Sequence, residues 1–270
     1  MPHFFDAMIL GTIQGLAEFL PISSSGHLLL AHYFLNYDPG HALIFDVALH
    51  VGTLLALVVY FWMDVGRLFK NFFASFRAKE RTLEQRLPWL ILIAAIPAAI
   101  FGGLFDSFFE SLRSPWIVVV TFVIFGFVFL IVERVSAKVK TMGDMGWKTA
   151  LGIGFAQVLA LVPGVSRSGI TIVAGMFAGL KREQAARFTF LLSIPVVAGA
   201  AAKKLLDVSH QGVGTDERGA MIVGILTAAI VGYAVIKFLL RYLANHSLNV
   251  FAYYRFAIAG IVLLGLLFFK

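Results

Sequence analysis

The chain contains no cysteine, which removes disulfide frameworks, cysteine-ligated zinc, iron–sulfur clusters and thiol chemistry. Charge is scarce as well. There are 22 Lys and Arg and 15 Asp and Glu in 270 residues, so 14% of the side chains are charged, against about 25% in soluble domains. A soluble domain of this size needs more polar surface. No Lys or Arg precedes Arg67, so the beginning of the chain lacks the basic stretch of a secretory signal. What fills the chain is apolar: 60% of residues are hydrophobic and the mean hydropathy is +0.88. The excess is spread along the whole length. One crossing takes about 20 apolar residues, so the sequence predicts an all-α, polytopic membrane protein with about 6 spanning helices. The net charge of +7 then reports cytoplasmic loops rather than a nucleic-acid partner.

Apolar segments lie at about 3–20, 28–36, 42–62, 88–105, 115–133, 149–163, 170–180, 185–202, 219–240 and 250–269. The segments 28–36 and 170–180 are half-length, and each follows a Ser/Gly-rich tract. Half-helices at membrane depth are tolerated only where they are buried in protein or line a cavity. Two re-entrant helical hairpins, 3–36 and 149–180, are therefore expected. Basic residues give the orientation. Loop 63–87 carries Arg67, Lys70, Arg77, Lys79, Arg81 and Arg86; loop 134–148 carries Arg134, Lys138, Lys140 and Lys148; segment 181–187 carries Lys181, Arg182 and Arg187. All three are expected in the cytoplasm. Residues 1–40 and loop 203–218 then lie outside, with Lys203, Lys204 and Arg218 of that loop partly offset by Asp207, Asp216 and Glu217.

The chain also repeats itself. Gln14–Gly26 reads QGLAEFLPISSSG and Gln157–Gly169 reads QVLALVPGVSRSG, with six of 13 positions identical at an offset of 143. The same offset pairs Phe45 with Phe188 and Leu49 with Leu192. The count of crossings between the copies makes them opposite in orientation. The expected organisation is one membrane domain, 1–270, built from a first repeat over 1–135 and a second, inverted repeat over 147–270. Broken helices of such repeats place a polar site near the midplane.

The two tracts pool Gln14, Glu18, Ser23, Ser24, Ser25, Gly26 and His27 with Ser166, Arg167, Ser168, Gly169 and Thr171. Gln14 and Glu18, four residues apart, share a helix face. Ser-Gly tracts before a half-helix direct backbone N–H groups at one point and suit phosphate. Arg167 adds a planar fork for phosphate oxygens. Ser24 and His27 offer a nucleophile and a base. Glu18 offers an acid/base group or a hard oxygen ligand for Mg²⁺ or Ca²⁺. Such a set, opening toward lipid, fits a phosphate ester on a lipid. Blander readings exist for each part: Ser and Gly permit close helix packing, and Arg167 and Glu18 can pair structurally. His32, His41 and His210 read as structural, and Asp46 and His50 as supports for the site. Tyr253-Tyr254-Arg255 reads as an interfacial anchor, and the basic loop 63–87 as a topological signal.

The segments EFLPISSSGHL at Glu18–Leu28 and PGVSRSGITI at Pro163–Ile172 closely resemble the bacitracin-resistance (BacA) family of undecaprenyl pyrophosphate phosphatases. FDVALHVGTL at Phe45–Leu54, FLLSIP at Phe190–Pro195 and Tyr254-Arg255 are similar too, so the resemblance covers essentially the whole chain. It implies removal of the terminal phosphate from C55 isoprenyl diphosphate at the outer face of the cytoplasmic membrane. That reaction recycles the carrier lipid for peptidoglycan and gives tolerance to bacitracin. Position by position, the resemblance makes Glu18, Ser24, His27 and Arg167 the catalytic matches, with Ser24 or His27 as nucleophile or Ser24 as positioner of water. From the pooled tracts themselves, substrate contacts are expected from Gln14, Ser23, Ser25, Gly26, Ser166, Ser168, Gly169 and Thr171. The expected ion is Mg²⁺ or Ca²⁺, with Glu18 as a ligand; Gln at position 14, where the family has Glu or Gln, leaves one carboxylate rather than two. Expected partners are the lipid diphosphate, the bilayer and a second copy in a homodimer. The rival reading is a transporter or flippase of a polyprenyl phosphate, because inverted repeats are also a transporter architecture.

Overall fold

The computed structural model describes residues 4–35, 39–208 and 215–268, with side chains described except at 35, 39–44, 204–208 and 215–217. His210 therefore lies outside the described residues, as do the side chains of His41, Lys204, Asp207, Asp216 and Glu217. The described residues form α-helices with no β-strand among them: α1 (Phe4–Phe19), α2 (Ser24–Leu35), α3 (Pro39–Tyr60), α4 (Trp62–Ala74), α5 (Leu83–Leu104), α6 (Asp106–Ser111), α7 (Pro115–Val135), α8 (Trp147–Val158), α9 (Arg167–Phe177), α10 (Arg182–Val208), α11 (Thr215–Asn245) and α12 (Asn249–Phe268). Among the described residues, five helices are long and apolar enough to cross a membrane, or six if the bent α3–α4 pair counts as one span. The chain is thus an all-α polytopic membrane protein. On α7, Val120, Ile124, Phe127 and Ile131 form an exposed apolar stripe, while Val118, Phe122, Phe129 and Val132 are buried. A helix apolar on both faces, exposed on one, is one that meets lipid.

Sequence reading differs from the structure in the basic stretch 63–87. Its first half is not a loop but helix α4, turned 78° from α3. Trp62, Phe69, Phe73 and Phe76 are exposed, and Val65, Leu68 and Phe72 are partly covered. Arg67 and Lys70 interrupt the apolar run, so a search for long apolar segments passes over it although its period is helical. The second half opens into α5 through a capping box, Thr82 with Gln85, which satisfies N–H groups at the helix start.

Helices α1 and α2 pack against each other, as do α8 and α9. None of the four reaches the length of a full crossing; they run 16, 12, 12 and 11 residues. Small residues let neighbours approach them closely. A Cβ at Gly11 of α1 would lie 2.7 Å from the Gly224 carbonyl oxygen of α11, and one at Gly154 of α8 would lie 2.6 Å from the Ala94 carbonyl oxygen of α5. Gly11 and Gly154 are themselves 143 residues apart. The close backbone approach built from small residues is the membrane mode of helix packing.

At the end of α7 the buried Glu133 carboxylate collects three elements. It accepts two bonds from Arg182 Nε (2.8 and 3.1 Å) and one from Arg182 Nη2 (2.6 Å). It also accepts the Leu248 N–H at 2.7 Å. Lys138 lies beside it. Two of the basic residues that carry the orientation argument, Arg182 and Lys138, thus also tie α7, α10 and the α11–α12 turn together.

Candidate active site

Two turns of matching conformation lie at the ends of the half-helices. Ser23 and Ser166 both have positive φ, 76° and 75°, a left-handed conformation that non-glycine residues seldom hold. Each caps the next helix in the same way. Gly26 N–H donates to Ser23 Oγ at 3.3 Å, and Gly169 N–H to Ser166 Oγ at 3.1 Å. The Ser23–Ser25 hydroxyls are 3.2 Å apart and the Ser166–Ser168 hydroxyls 3.1 Å. The tracts read as loops in the sequence are therefore first helical turns, and the irregular backbone shrinks to residues 20–23 and 162–166. A serine that caps its own helix is favoured because its oxygen takes one of the otherwise orphaned N–H groups. Among the described residues no acceptor meets the N–H groups of Ser24, Ser25, Arg167 and Ser168, so both helix starts retain donors for an anion.

Ser24 and Arg167 occupy equivalent positions, the first residue of α2 and of α9. Both reach Glu18. Ser24 Oγ donates to Glu18 Oε2 at 2.6 Å, and the Arg167 guanidinium pairs with Glu18 Oε1. Gln14 Nε2 donates to Oε2 at 3.1 Å, one turn earlier on α1 as the four-residue spacing requires. His50 Nε2 lies 3.8 Å from the same oxygen, with Nδ1 held by the Asp46 carbonyl at 2.7 Å. Glu18 is thus the meeting point of α1, α2, α3 and α9, and its carboxylate is nearly fully buried. A buried carboxylate requires this density of partners.

The expected Ser24–His27 pair is not formed. His27 Nδ1 meets the Ser23 carbonyl at 2.8 Å, and Nε2 meets the Tyr254 hydroxyl at 2.8 Å. A carbonyl only accepts, so Nδ1 carries the proton; in the neutral ring Nε2 then accepts from Tyr254. His27 also lies against the Tyr254 and Phe122 rings. Ser24 instead has a carboxylate as its partner.

Among the other expected substrate contacts, Thr171 is committed elsewhere. Its hydroxyl donates to the Arg167 carbonyl at 2.7 Å and receives Thr189 at 2.9 Å, bracing α9 against α10. Ser168 donates to the Leu20 carbonyl at 3.2 Å, a bond from one turn to the other. Gly26 and Gly169 give space rather than contacts. A Cβ at Gly26 would lie 3.0 Å from the Phe122 ring, and one at Gly169 2.7 Å from the Phe129 ring.

Reading Tyr253-Tyr254-Arg255 as an interfacial anchor fails for two of its three members. Tyr253 is 61% exposed, but Arg255 is 0% exposed and Tyr254 holds His27. Arg255 Nε donates to the Pro21 carbonyl at 2.9 Å, Nη1 to Gly164 at 2.9 Å and Nη2 to Val165 at 3.0 Å. The guanidinium lies over the Phe122 and Phe129 rings, 5.3 and 4.9 Å from their centres. A helical arginine flanked by apolar residues in a membrane span was the available signal, since such a residue faces the protein interior.

Metal-ligating capacity is modest. Among the described residues no group of three His, Asp or Glu converges. One orphan is informative: Gln14 Oε1 is buried with no hydrogen-bond partner, beside Glu18. A carboxylate and an amide oxygen are hard ligands that fit a Mg²⁺ ion completing its shell with water and substrate phosphates.

The bacitracin resistance protein BacA family model matches residues 7–262. The undecaprenyl-diphosphatase of Rubrobacter xylanophilus is 49% identical over 267 residues, covering 97% of this chain and 98% of that protein. Those of Moorella thermoacetica and Thermodesulfovibrio yellowstonii are 44% identical over 259 residues and 43% over 275, covering 95% and 100% of each chain respectively.

Proposed function

The chain belongs to the bacitracin resistance protein BacA family, and we propose that Ser24, Glu18 and Arg167 form the centre at which it works. The protein is an integral membrane undecaprenyl-diphosphate phosphatase. It releases undecaprenyl phosphate and inorganic phosphate, returning the carrier lipid to peptidoglycan synthesis; bacitracin resistance fits the family name. The observation that carries the site assignment is the 2.6 Å contact of Ser24 Oγ with Glu18 Oε2 beside the Arg167 guanidinium.

The proposed chemistry is a phosphoryl transfer. Arg167 turns from Glu18 to the terminal phosphate, whose oxygens match its fork. The free N–H groups at the starts of α2 and α9 take the remaining charge, so positioning and electrostatics carry most of the catalysis. Ser24 Oγ bonds to the terminal phosphorus as the bridging P–O bond breaks toward the lipid. Glu18 takes the Ser24 proton and passes it to the departing phosphate. Water then attacks the phosphoserine; Glu18 accepts its proton and returns it to Ser24 Oγ as that bond breaks. His27, held by Tyr254 and the Ser23 carbonyl, orients the turn beside the phosphate. A divalent cation would be held by Glu18 and Gln14 Oε1, and would neutralise diphosphate charge. Occupation of Glu18 by Arg167 keeps the buried charges paired until substrate arrives.

The resemblance of the two turns supports an inverted repeat, with 1–135 and 147–270 contributing one turn each. The distribution of basic residues supports a cytoplasmic membrane location with the site open to the outer face. Two tests follow. Purified protein should release inorganic phosphate from undecaprenyl diphosphate; transport of the lipid without phosphate release would remove the phosphatase reading. For orientation, single cysteines can be placed in this cysteine-free chain at two exposed residues. Ser111→Cys should react with an impermeant thiol reagent in intact spheroplasts and Lys79→Cys only after permeabilisation. The opposite pattern would invert the topology.

A further inference from the structure

We propose that Arg255 is a positioning residue that holds the two half-sites in register, so that Ser24 and Arg167 address the same phosphate. The inference rests on the phosphatase reading of the Ser24–Glu18–Arg167 centre. Pro21 and Gly164, whose carbonyls accept from Arg255 Nε and Nη1, are equivalent residues of the two turns, 143 apart. One guanidinium therefore grips the same atom of each copy. Its third bond goes to Val165, directly before the strained Ser166. The Phe122 and Phe129 rings beside it continue the link. Phe122 lies under Gly26 at the start of α2, and Phe129 lies under Gly169 at the start of α9. The result is a chain of neighbours from one helix start to the other: Gly26, Phe122, Arg255, Phe129, Gly169.

The chemistry of the group fits this task. Arg255 meets no carboxylate among the described residues; its partners are three carbonyl oxygens and two ring faces. A planar fork spreads its donors over fixed directions, which a compact ammonium group cannot do. Peptide units are planar, so fixing the carbonyls of Pro21, Gly164 and Val165 fixes the planes that lead into Ser23 and Ser166. Those serines start the helices whose first residues are Ser24 and Arg167. Its bonds go to the Pro21, Gly164 and Val165 carbonyls and not to Ser24 or Arg167, so it acts through the backbone.

The test compares wild type with Arg255→Lys and Arg255→Gly, assaying phosphate release from undecaprenyl diphosphate per mole of folded, detergent-purified protein. A displacement of about 1 Å at the reacting centre costs on the order of 100-fold. Arg255→Lys should therefore lower kcat about 100-fold with a much smaller change in KM. Arg255→Gly, extracted and assayed with dilute guanidinium chloride, should recover kcat, whereas methylammonium chloride should not restore it. A kcat for folded Arg255→Lys equal to wild type overturns the proposal. So does failure of both variants to fold when guanidinium does not reverse it, which assigns Arg255 to stability alone. Absence of phosphate release from the wild type in the same assay would instead remove the phosphatase reading.

Discussion

Replacing Arg167 with lysine should lower phosphate release by about 10²–10³-fold while the protein still folds. Lysine keeps the positive charge and can keep the pairing with Glu18 that Arg167 makes in the ligand-free site. What it loses is the fork. Arg167 is the first residue of α9, and its side chain retains 20% exposure, so it can turn from the carboxylate to a phosphate arriving at the two helix starts. Bidentate contact with two phosphate oxygens needs a planar guanidinium. If the residue were there only to neutralise Glu18, the charge-conserving change would leave turnover near the wild-type rate. Steady-state phosphate release, with thermal stability measured beside it, separates the two. A stable Arg167→Lys variant of wild-type rate would leave Arg167 as a structural counter-ion.

Glu18→Gln should cost about 10²–10⁴-fold, the range of a lost general base. Glutamine keeps the size of the side chain and an oxygen for the Ser24 hydroxyl now 2.6 Å away. It cannot take the proton. It also leaves Arg167 facing a neutral amide, which weakens the ligand-free pairing, so some loss of stability should accompany the loss of rate. Gln14 behaves differently because it is an amide already. Gln14→Ala should lose less activity than Glu18→Gln. Gln14→Glu should remain active and shift the divalent-ion dependence, since the buried, unpartnered Gln14 Oε1 becomes a second carboxylate beside Glu18. Phosphate release across a Mg²⁺ and Ca²⁺ titration reads all three. Activity of Glu18→Gln at every ion concentration would exclude Glu18 as the base, because an amide cannot take the proton.

Much of this was legible in the sequence because the membrane imposes few solutions. Apolar runs near 20 residues locate the crossing helices, and the shortness of 28–36 and 170–180 marks half-helices. The offset of 143 aligns two capping serines, two small glycines and the two first residues, Ser24 and Arg167. Three features escaped. Helix α4 did so because Arg67 and Lys70 lower its hydropathy. The Ser24–Glu18 contact did so because a serine and a histidine three residues apart invite pairing, whereas the turn geometry sends His27 to the Ser23 carbonyl and Tyr254. Arg255 did so because it lies 234 residues from Pro21, and no local pattern announces a contact of that range. Its neighbour Tyr253 faces outward while Arg255 is buried, so residues two apart on one helix meet opposite surroundings.

The central claim is that two turns, far apart in sequence, act on one phosphate. A double-mutant cycle on Ser24→Ala and Arg167→Ala tests it most directly. Residues that act as a unit are strongly non-additive. Each single change should reduce phosphate release by a large factor, and the double variant should be little worse than the poorer single. Losses that multiply fully would contradict the account and leave the two turns working independently.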